Sequence, residues 1–519
     1  MNRTRMAAPL LLAPLLLIAP ARAAHPVQIA QGTLEGQRQD DVTRYLGIPY
    51  AAPPVGENRW RAPLPAPVWN GTLRADRYAP NCQQAPAPRA LRAWTSEYLI
   101  EGPISEDCLY LNVWTAATAP GQALPVLVWI HGGGFSSGGA TVPVYDGAGL
   151  AARGMVVVTI NYRLGVYGFL SHPALRRENG AQASGNYGLL DQVAALRWVR
   201  ENIGAFGGDP TRVTVAGQSA GAAAVHHLIA SPLAAGLFQR AIAESGSGMG
   251  GAVPDGGASD AAGEQLMRRT GAPDIAALRR MPPAALEKAA AGMAFRPNVD
   301  GRLLPDAAHV GRNTNDVPML TGLTADEGSS MSASYGQATP ASFAARLDKR
   351  YGSLAPEFAK LYPAATPDAA GAAARQLERD RGLASTWLWA KRRLGASSQP
   401  VYLYYFTHVE PGPEAQRYGA FHSSEIPYVF ATLDRADRPY TAADRALSGT
   451  VGAYWANWVT TGDPNGPGLP AWPRLHPDAP SMLEIGTQSR ARPVLAPAKL
   501  SLFERHAGKG GKPGLFPED

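Results

Sequence analysis

Ser219 stands in the stretch Val213-Thr214-Val215-Ala216-Gly217-Gln218-Ser219-Ala220-Gly221, where its neighbours suit it to attack a carbonyl carbon. A serine hydroxyl becomes a nucleophile when a base takes its proton and a carboxylate orients that base. N–H donors must also receive the charge that forms on the substrate oxygen. Here a β-branched run ends in Gly-x-Ser-x-Gly, and an Ala-rich segment that favours helix, Ala222 to Ala230, begins at once. Gly217 and Gly221 remove side chains where strand and helix meet in a tight turn, so Ser219 can stand exposed in a strained conformation. The helix that follows aims N–H groups and a partial positive charge at a developing oxyanion. A second such pentapeptide, Gly134-Phe135-Ser136-Ser137-Gly138, leads into Gly139-Ala140-Thr141-Val142-Pro143, which does not open a helix. Ser219 is therefore the expected nucleophile, and Ser136 is not.

Oxyanion donors are expected from His131-Gly132-Gly133-Gly134-Phe135, at the end of the apolar run Val126 to Ile130. Without side chains, successive N–H groups can converge on one oxygen. Gly133 and Gly134 are the candidate donors, with the Ala220 N–H as a third.

These residues need a scaffold of strands and helices. Val126 to Ile130 and Met155 to Tyr162 are nearly continuous apolar runs, as in central parallel strands buried on both faces. Leu189 to Ile203 reads as a helix with Leu189, Val193, Leu196, Val199 and Ile203 on one stripe. Val27 to Leu46 reads as short strands with turns, and Leu109 to Trp114 as a strand of period two. Tyr45 to Arg61 carries so much Pro and Gly that a fixed loop without regular structure is expected. Val317 to Gly322 and Val401 to Phe406 are strands, the latter the last clear one, and 340–395 is mostly helical. Such alternation belongs to the α/β class, with a mostly parallel sheet covered by helices on both faces.

Length and composition set the address. The chain has 519 residues, 45% hydrophobic and 17% charged, an ordinary globular balance. Residues 1–23 read as an export signal: Arg3 and Arg5 precede the apolar run Ala7 to Pro20, and Ala21-Arg22-Ala23 fits a cleavage site. A periplasmic or extracellular protein is expected, with 24–519 as one catalytic domain and the tail 508–519 frayed. Loss of Arg3, Arg5 and Arg22 brings the net charge from +6 to +3. The one dense basic cluster, Lys391-Arg392-Arg393, reads as a solvated helix face, so no nucleic-acid partner is expected, and no membrane once the signal is removed. The two cysteines, Cys82 and Cys108, in an oxidising compartment imply one disulfide.

The motifs together resemble the type-B carboxylesterase family, the branch of the α/β-hydrolases that includes cholinesterase-like and para-nitrobenzyl-esterase-like enzymes. The resemblance rests on Tyr45–Arg61, the stretch Glu106 to Trp114, His131–Phe135, Asn186–Gln192, Phe206–Gly221, Asp326-Glu327-Gly328 and Phe421–Phe430, in the family's order. In that fold the chain order is Ser, acid, His. After the strand at 317–322 either Asp326 or Glu327 could be the acid, and the family's pattern selects Glu327. His408 and His422 both follow the last strand, and the family's histidine loop matches Gly419 to Pro427, hence His422. His226 and His227, inside the elbow helix, read as packing residues. Ser245 resembles a second serine that hydrogen-bonds to the triad. The resemblance also assigns Arg59 with Glu106, and Arg163 with Asp191, as internal salt bridges, and makes the Cys82–Cys108 loop one wall of the gorge.

What the resemblance implies is a serine hydrolase of carboxylic esters that forms an acyl-enzyme, uses no metal or cofactor, and takes a small-molecule ester as partner. A monomer is expected. The family also contains non-catalytic adhesion domains, and amidases or lactonases could use the same triad. Cholinesterases hold a cationic alcohol with an acidic residue before the serine and with aromatic rings. Here that residue is Gln218, Ser329-Ser330-Met331 follow Glu327-Gly328, and Trp94 misses the spacing of their choline-stacking tryptophan. Ala291-Gly292-Met293-Ala294 occupies the stretch that supplies bulky acyl-pocket aromatics in those enzymes. Neutral or anionic esters with bulky acyl groups are the expected substrates.

Overall fold

The computed structural model describes residues 22–86, 92–179, 184–247, 253–305 and 314–516. Most of the expected export segment lies outside them. Arg22–Ala23 (β1) opens a sheet that continues through Gln37–Gln39 (β2), Val42–Pro49 (β3), Tyr110–Thr115 (β4), Leu124–Ile130 (β5) and Val156–Ile160 (β6). It is completed by Gly208–Gln218 (β7), Arg240–Glu244 (β8), Met319–Thr324 (β9), Val401–Phe406 (β10), Ser481–Ile485 (β11) and Arg490–Pro493 (β12). The twelve strands lie in the order β1-β2-β3-β4-β6-β5-β7-β8-β9-β10-β11-β12. From β6 to β11 neighbours are parallel, and both edges are antiparallel.

The apolar runs fall at the centre. Every residue of Val126–Ile130 and of β6 is buried, because helices cover the sheet. Among the helices are Tyr187–Asn202 (α1), Ala220–Ala230 (α2), Pro367–Ala396 (α3), Ala442–Thr461 (α4) and Pro497–Gly508 (α5). In α1 the stripe Leu189, Val193, Leu196 and Val199 is buried, with Ile203 just beyond its end. Helix α4 begins in a capping box: Thr441 accepts from the Asp444 N–H, and Asp444 accepts from the Thr441 N–H.

Four expectations need correction. Tyr45 to Pro49 is not irregular, since β3 runs through it and pairs Ile48 with Leu111 and Pro49 with Tyr110. A bulge between Tyr45 and Ile48, with Gly47 at φ 72°, absorbs the residue that would break the register. Phe406 does not end the sheet, because Met482, Leu483 and Ile485 bury a short strand beside β10. Lys391 and Arg392 are exposed, but Arg393 is buried and donates to Val317 O at 2.6 Å, so the cluster is only partly a solvated face. The tail after Gly508 is packed as far as Phe516: Gly511 N–H donates to His506 O at 3.0 Å, Pro513 is buried, and Arg381 donates to Phe516 O at 2.5 Å. Its Gly and Lys content suggested fraying, but Pro513, Leu515 and Phe516 gain by leaving water.

Candidate active site

Parallel strands place the candidate residues side by side at their C-terminal ends, where open α/β sheets bind ligands. Ile130 at the end of β5 pairs with Gly217 of β7, and Gln218 pairs with Glu244 at the end of β8. The glycine loop, Ser219 and Ser245 therefore leave the sheet next to one another. Glu244 in turn pairs with Gly322 of β9, which carries the loop of Asp326 and Glu327. An isolated bridge joins Asp326 to Phe421, the residue before His422.

Ser219 sits between β7 and α2 at φ 59° and ψ −121°, a region that L-residues rarely enter. Its N–H donates to Glu244 O at 2.9 Å. The turn requires its flanking glycines: a Cβ on Gly221 would lie 2.0 Å from Ile130 O, and one on Gly217 2.6 Å from the backbone of Gly221. Gly133 and Gly134, at φ 108° and 64°, bend the loop after β5 beside it. Among the described residues the N–H groups of Gly133, Gly134 and Ala220 donate to no other group of the protein. His131 is buried, stacks on Tyr162 at 4.4 Å, and has its pKa lowered to about 4 by burial, so it stays neutral and structural.

The candidate acid and the candidate base meet in the structure. His422 Nδ1 donates to Glu327 Oε2. Ser245 Oγ donates to Glu327 Oε1 at 2.5 Å and the Thr324 N–H does so at 2.8 Å, so the carboxylate is held on both oxygens. With its proton on Nδ1, His422 keeps Nε2 as an acceptor. Gln218 Nε2 lies 3.1 Å from that nitrogen, and among the described residues Ser219 Oγ makes no hydrogen bond. The same amide nitrogen lies 3.4 Å from Nδ1, so it sits over the imidazole face and not in line with the Nε2 lone pair.

The rivals are engaged elsewhere. Asp326 accepts two bonds from Arg379 at 2.9 and 2.8 Å, one from Tyr335 OH at 2.9 Å and one from the Ala420 N–H at 3.1 Å. His408 Nε2 bonds Asp444 at 2.7 Å, at the start of α4. His226 bonds Ser247 at 2.7 Å, and both His226 and His227 are buried against aromatic rings. Ser136 Oγ donates to Gly133 O at 3.2 Å inside the glycine loop.

The assigned pairs are present. Arg59 bonds Glu106 at 2.7 and 2.5 Å and reaches the carbonyls of Arg279 and Met281. Arg163 grips Asp191 at 2.8 and 2.7 Å, both side chains buried. Cys82 and Cys108 form a disulfide. Trp94, in the loop it closes, donates to His422 O at 3.1 Å and meets the imidazole edge-on at 6.3 Å. The spacing of Trp94 departs from that of a choline-stacking tryptophan, and its contact with His422 comes from the folding of the loop. Phe516, in the tail, is a second ring on His422 that no sequence signal marked. Among the described residues no group of three or more His, Cys, Asp or Glu could hold a metal ion, and no helix is long and apolar enough to cross a membrane.

A family model described as "Carboxylesterase family" matches residues 23–503. The chain is 38% identical to the fumonisin B1 esterase of Sphingopyxis macrogoltabida over 470 residues, 86% of this chain and 83% of that one. It is 36% identical to the para-nitrobenzyl esterase of Bacillus subtilis (strain 168) over 504 residues, 90% and 98% of the two chains. A solved PNB esterase structure superposes with a TM-score of 0.78 at 33% identity, covering 92% of this chain and 99% of that chain.

Proposed function

Since the chain belongs to the carboxylesterase family and has the α/β-hydrolase fold of that family, we propose that residues 24–519 act as one catalytic domain, hydrolysing carboxylic esters through an acyl-enzyme on Ser219. His422 Nε2 takes the Ser219 proton as Oγ attacks the ester carbonyl, returns it to the leaving alcohol, and then activates water to release the acid. Glu327 stabilises the imidazolium and fixes the Nδ1–H tautomer. The N–H groups of Gly133, Gly134 and Ala220 receive the oxyanion. One observation carries this reading above the rest: a hydrogen-bonded line from Ser245 through Glu327 to His422, whose ring meets Gln218, the residue before a serine held in a strained elbow.

The substrate we infer is a neutral or anionic ester with a bulky acyl group. Gln218, not a carboxylate, borders His422, and Arg92 donates to Ser330 O at 3.0 Å, so the group at that loop is a cation. A cationic alcohol would find no charge partner there. Relatives named for fumonisin B1 and para-nitrobenzyl esters support ester hydrolysis while differing in substrate.

Ser219→Ala should stay folded and lose at least about a thousandfold in kcat on an activated ester, and a phosphonate should label Ser219 stoichiometrically. Labelling at Ser136, or near-normal turnover in the variant, would overturn the assignment. Acetylcholine should not exceed its uncharged 3,3-dimethylbutyl analogue in kcat/KM. A preference above about tenfold for the cation, roughly 1.4 kcal/mol, would refute the substrate class.

A further inference from the structure

We propose that the C-terminal segment Lys509–Phe516 is a wall of the active site, and that Phe516 is a positioning residue for His422. The proposal rests on the triad reading above. The matched family region ends at residue 503, so this segment lies outside it.

Phe516 meets the imidazole of His422 at a centroid distance of 5.1 Å and an interplanar angle of 86°. Leu515, one residue earlier, shares the lining of a small cavity with Leu323, Ala325, Glu327 and Gly382. Consecutive tail residues thus adjoin the base and the acid. The contact is anchored: Arg381 in α3, about 1% exposed, donates to Phe516 O at 2.5 Å while its other bonds, at 3.0 and 2.5 Å, go to Glu378. Glu378 is fixed in turn by Arg350 at 3.2 Å. A buried guanidinium with a carboxylate and a backbone carbonyl as acceptors makes a specific seat for the Phe516 carbonyl, since removing either acceptor leaves part of a charge unsatisfied.

The chemistry gives the ring something to do. His422 is held to Glu327 by a single bond at Nδ1, which acts as a pivot. In the reaction Nε2 must turn its lone pair to the Ser219 hydroxyl, and the rings of Trp94 and Phe516 limit the swing of the imidazole about that pivot. Both lie at near right angles to the imidazole. An aromatic ring also attracts the imidazolium that forms when the proton is taken, and keeps water from the His–Glu pair.

Four variants test this beside the wild type: Phe516→Ala, Phe516→Leu, Phe516→Tyr, and a chain ending at Gly510. Arg392→Ala, an exposed residue outside the segment, is the control. Phe516→Ala and the shortened chain should lose about tenfold in kcat with KM changed less than about twofold. Phe516→Tyr should recover most of the rate and Phe516→Leu little of it. The rate of phosphonate labelling at Ser219 should fall in parallel. A kcat within about twofold of wild type in Phe516→Ala or in the shortened chain overturns the proposal. So does a loss confined to KM or to thermal stability, or equal rescue by Leu and Tyr. If Ser219 is labelled and Ser219→Ala is inactive while Phe516→Ala behaves as wild type, the tail's role alone fails. If Ser219→Ala is active, the triad reading fails first.

Discussion

Glu327 and Asp326 are neighbours with the same charge, yet the fold gives them different work. Asp326 is spent on Arg379, Tyr335 and the Ala420 N–H, which ties the acid loop to the histidine loop two residues before His422. Glu327 faces inward, and its two oxygens receive Ser245, the Thr324 N–H and His422. Ser245→Ala removes the side-chain donor and leaves the backbone one. The carboxylate should lose orientation rather than charge, lowering kcat by roughly tenfold at nearly constant KM, in line with the loss of one charge-assisted hydrogen bond. Unchanged kcat would make Ser245 a packing residue. Two acids in succession are indistinguishable by residue type, and which one turns inward is settled by Arg379, 53 residues beyond Asp326. Here the sequence needed a family pattern to choose, whereas Ser219 was legible from its glycines and the change from strand to helix.

At the scale of elements, periodicity served where burial is one-sided or complete. Helix α1 and strands β5 and β6 could be read because apolar spacing reports their exposure directly. It failed where a short segment is buried by others. Strand β11 is five residues with three buried, and the tail after α5 is apolar only at its end. The Cys82–Cys108 loop is a further case, because Trp94 reaches His422 through folding and not through spacing. Its disulfide joins that wall to the strand region before β4. On the chain-entropy view the cross-link stabilises the fold by about 3–4 kcal/mol. Reduction, or Cys82→Ser with Cys108→Ser, should lower Tm and also lower kcat, because Trp94 loses its fixed place against the histidine. The reduced wild type and the double variant should match. A fall in Tm with full activity would show that the loop stabilises without positioning.

For the molecule as a whole, the groups under the elbow make stability depend on pH. Glu244 is fully buried, its Oε1 bonded by Trp455 Nε1 at 2.7 Å, and burial raises its pKa from 4.5 to about 8. Glu425, also fully buried and bonded by Tyr404 OH at 3.2 Å, is pushed upward by burial and by the charges of Glu244 and Glu327. The folded chain therefore keeps protons that the unfolded chain releases. The contribution of Glu244 is full at pH below about 4.5 and is lost as pH rises through about 8, and Glu425 acts in the same direction. Tm should fall between pH 5 and 8.5, and Glu244→Gln should flatten that slope. A slope as steep as wild type in the variant would mean that Glu244 is already ionised in the fold. The elbow above these carboxyls carries a different consequence, for what random mutation would retain. A library sorted only for folded protein would keep Gly217 and Gly221, whose replacement drives a Cβ into Ile130 O or the opposing backbone. The same sorting would favour Ser219→Gly, since glycine accepts φ 59° and ψ −121° without the roughly 1–3 kcal/mol of strain a side chain stores there. Its Tm should rise as turnover disappears. Stability selection alone would preserve the frame and erase the serine it holds.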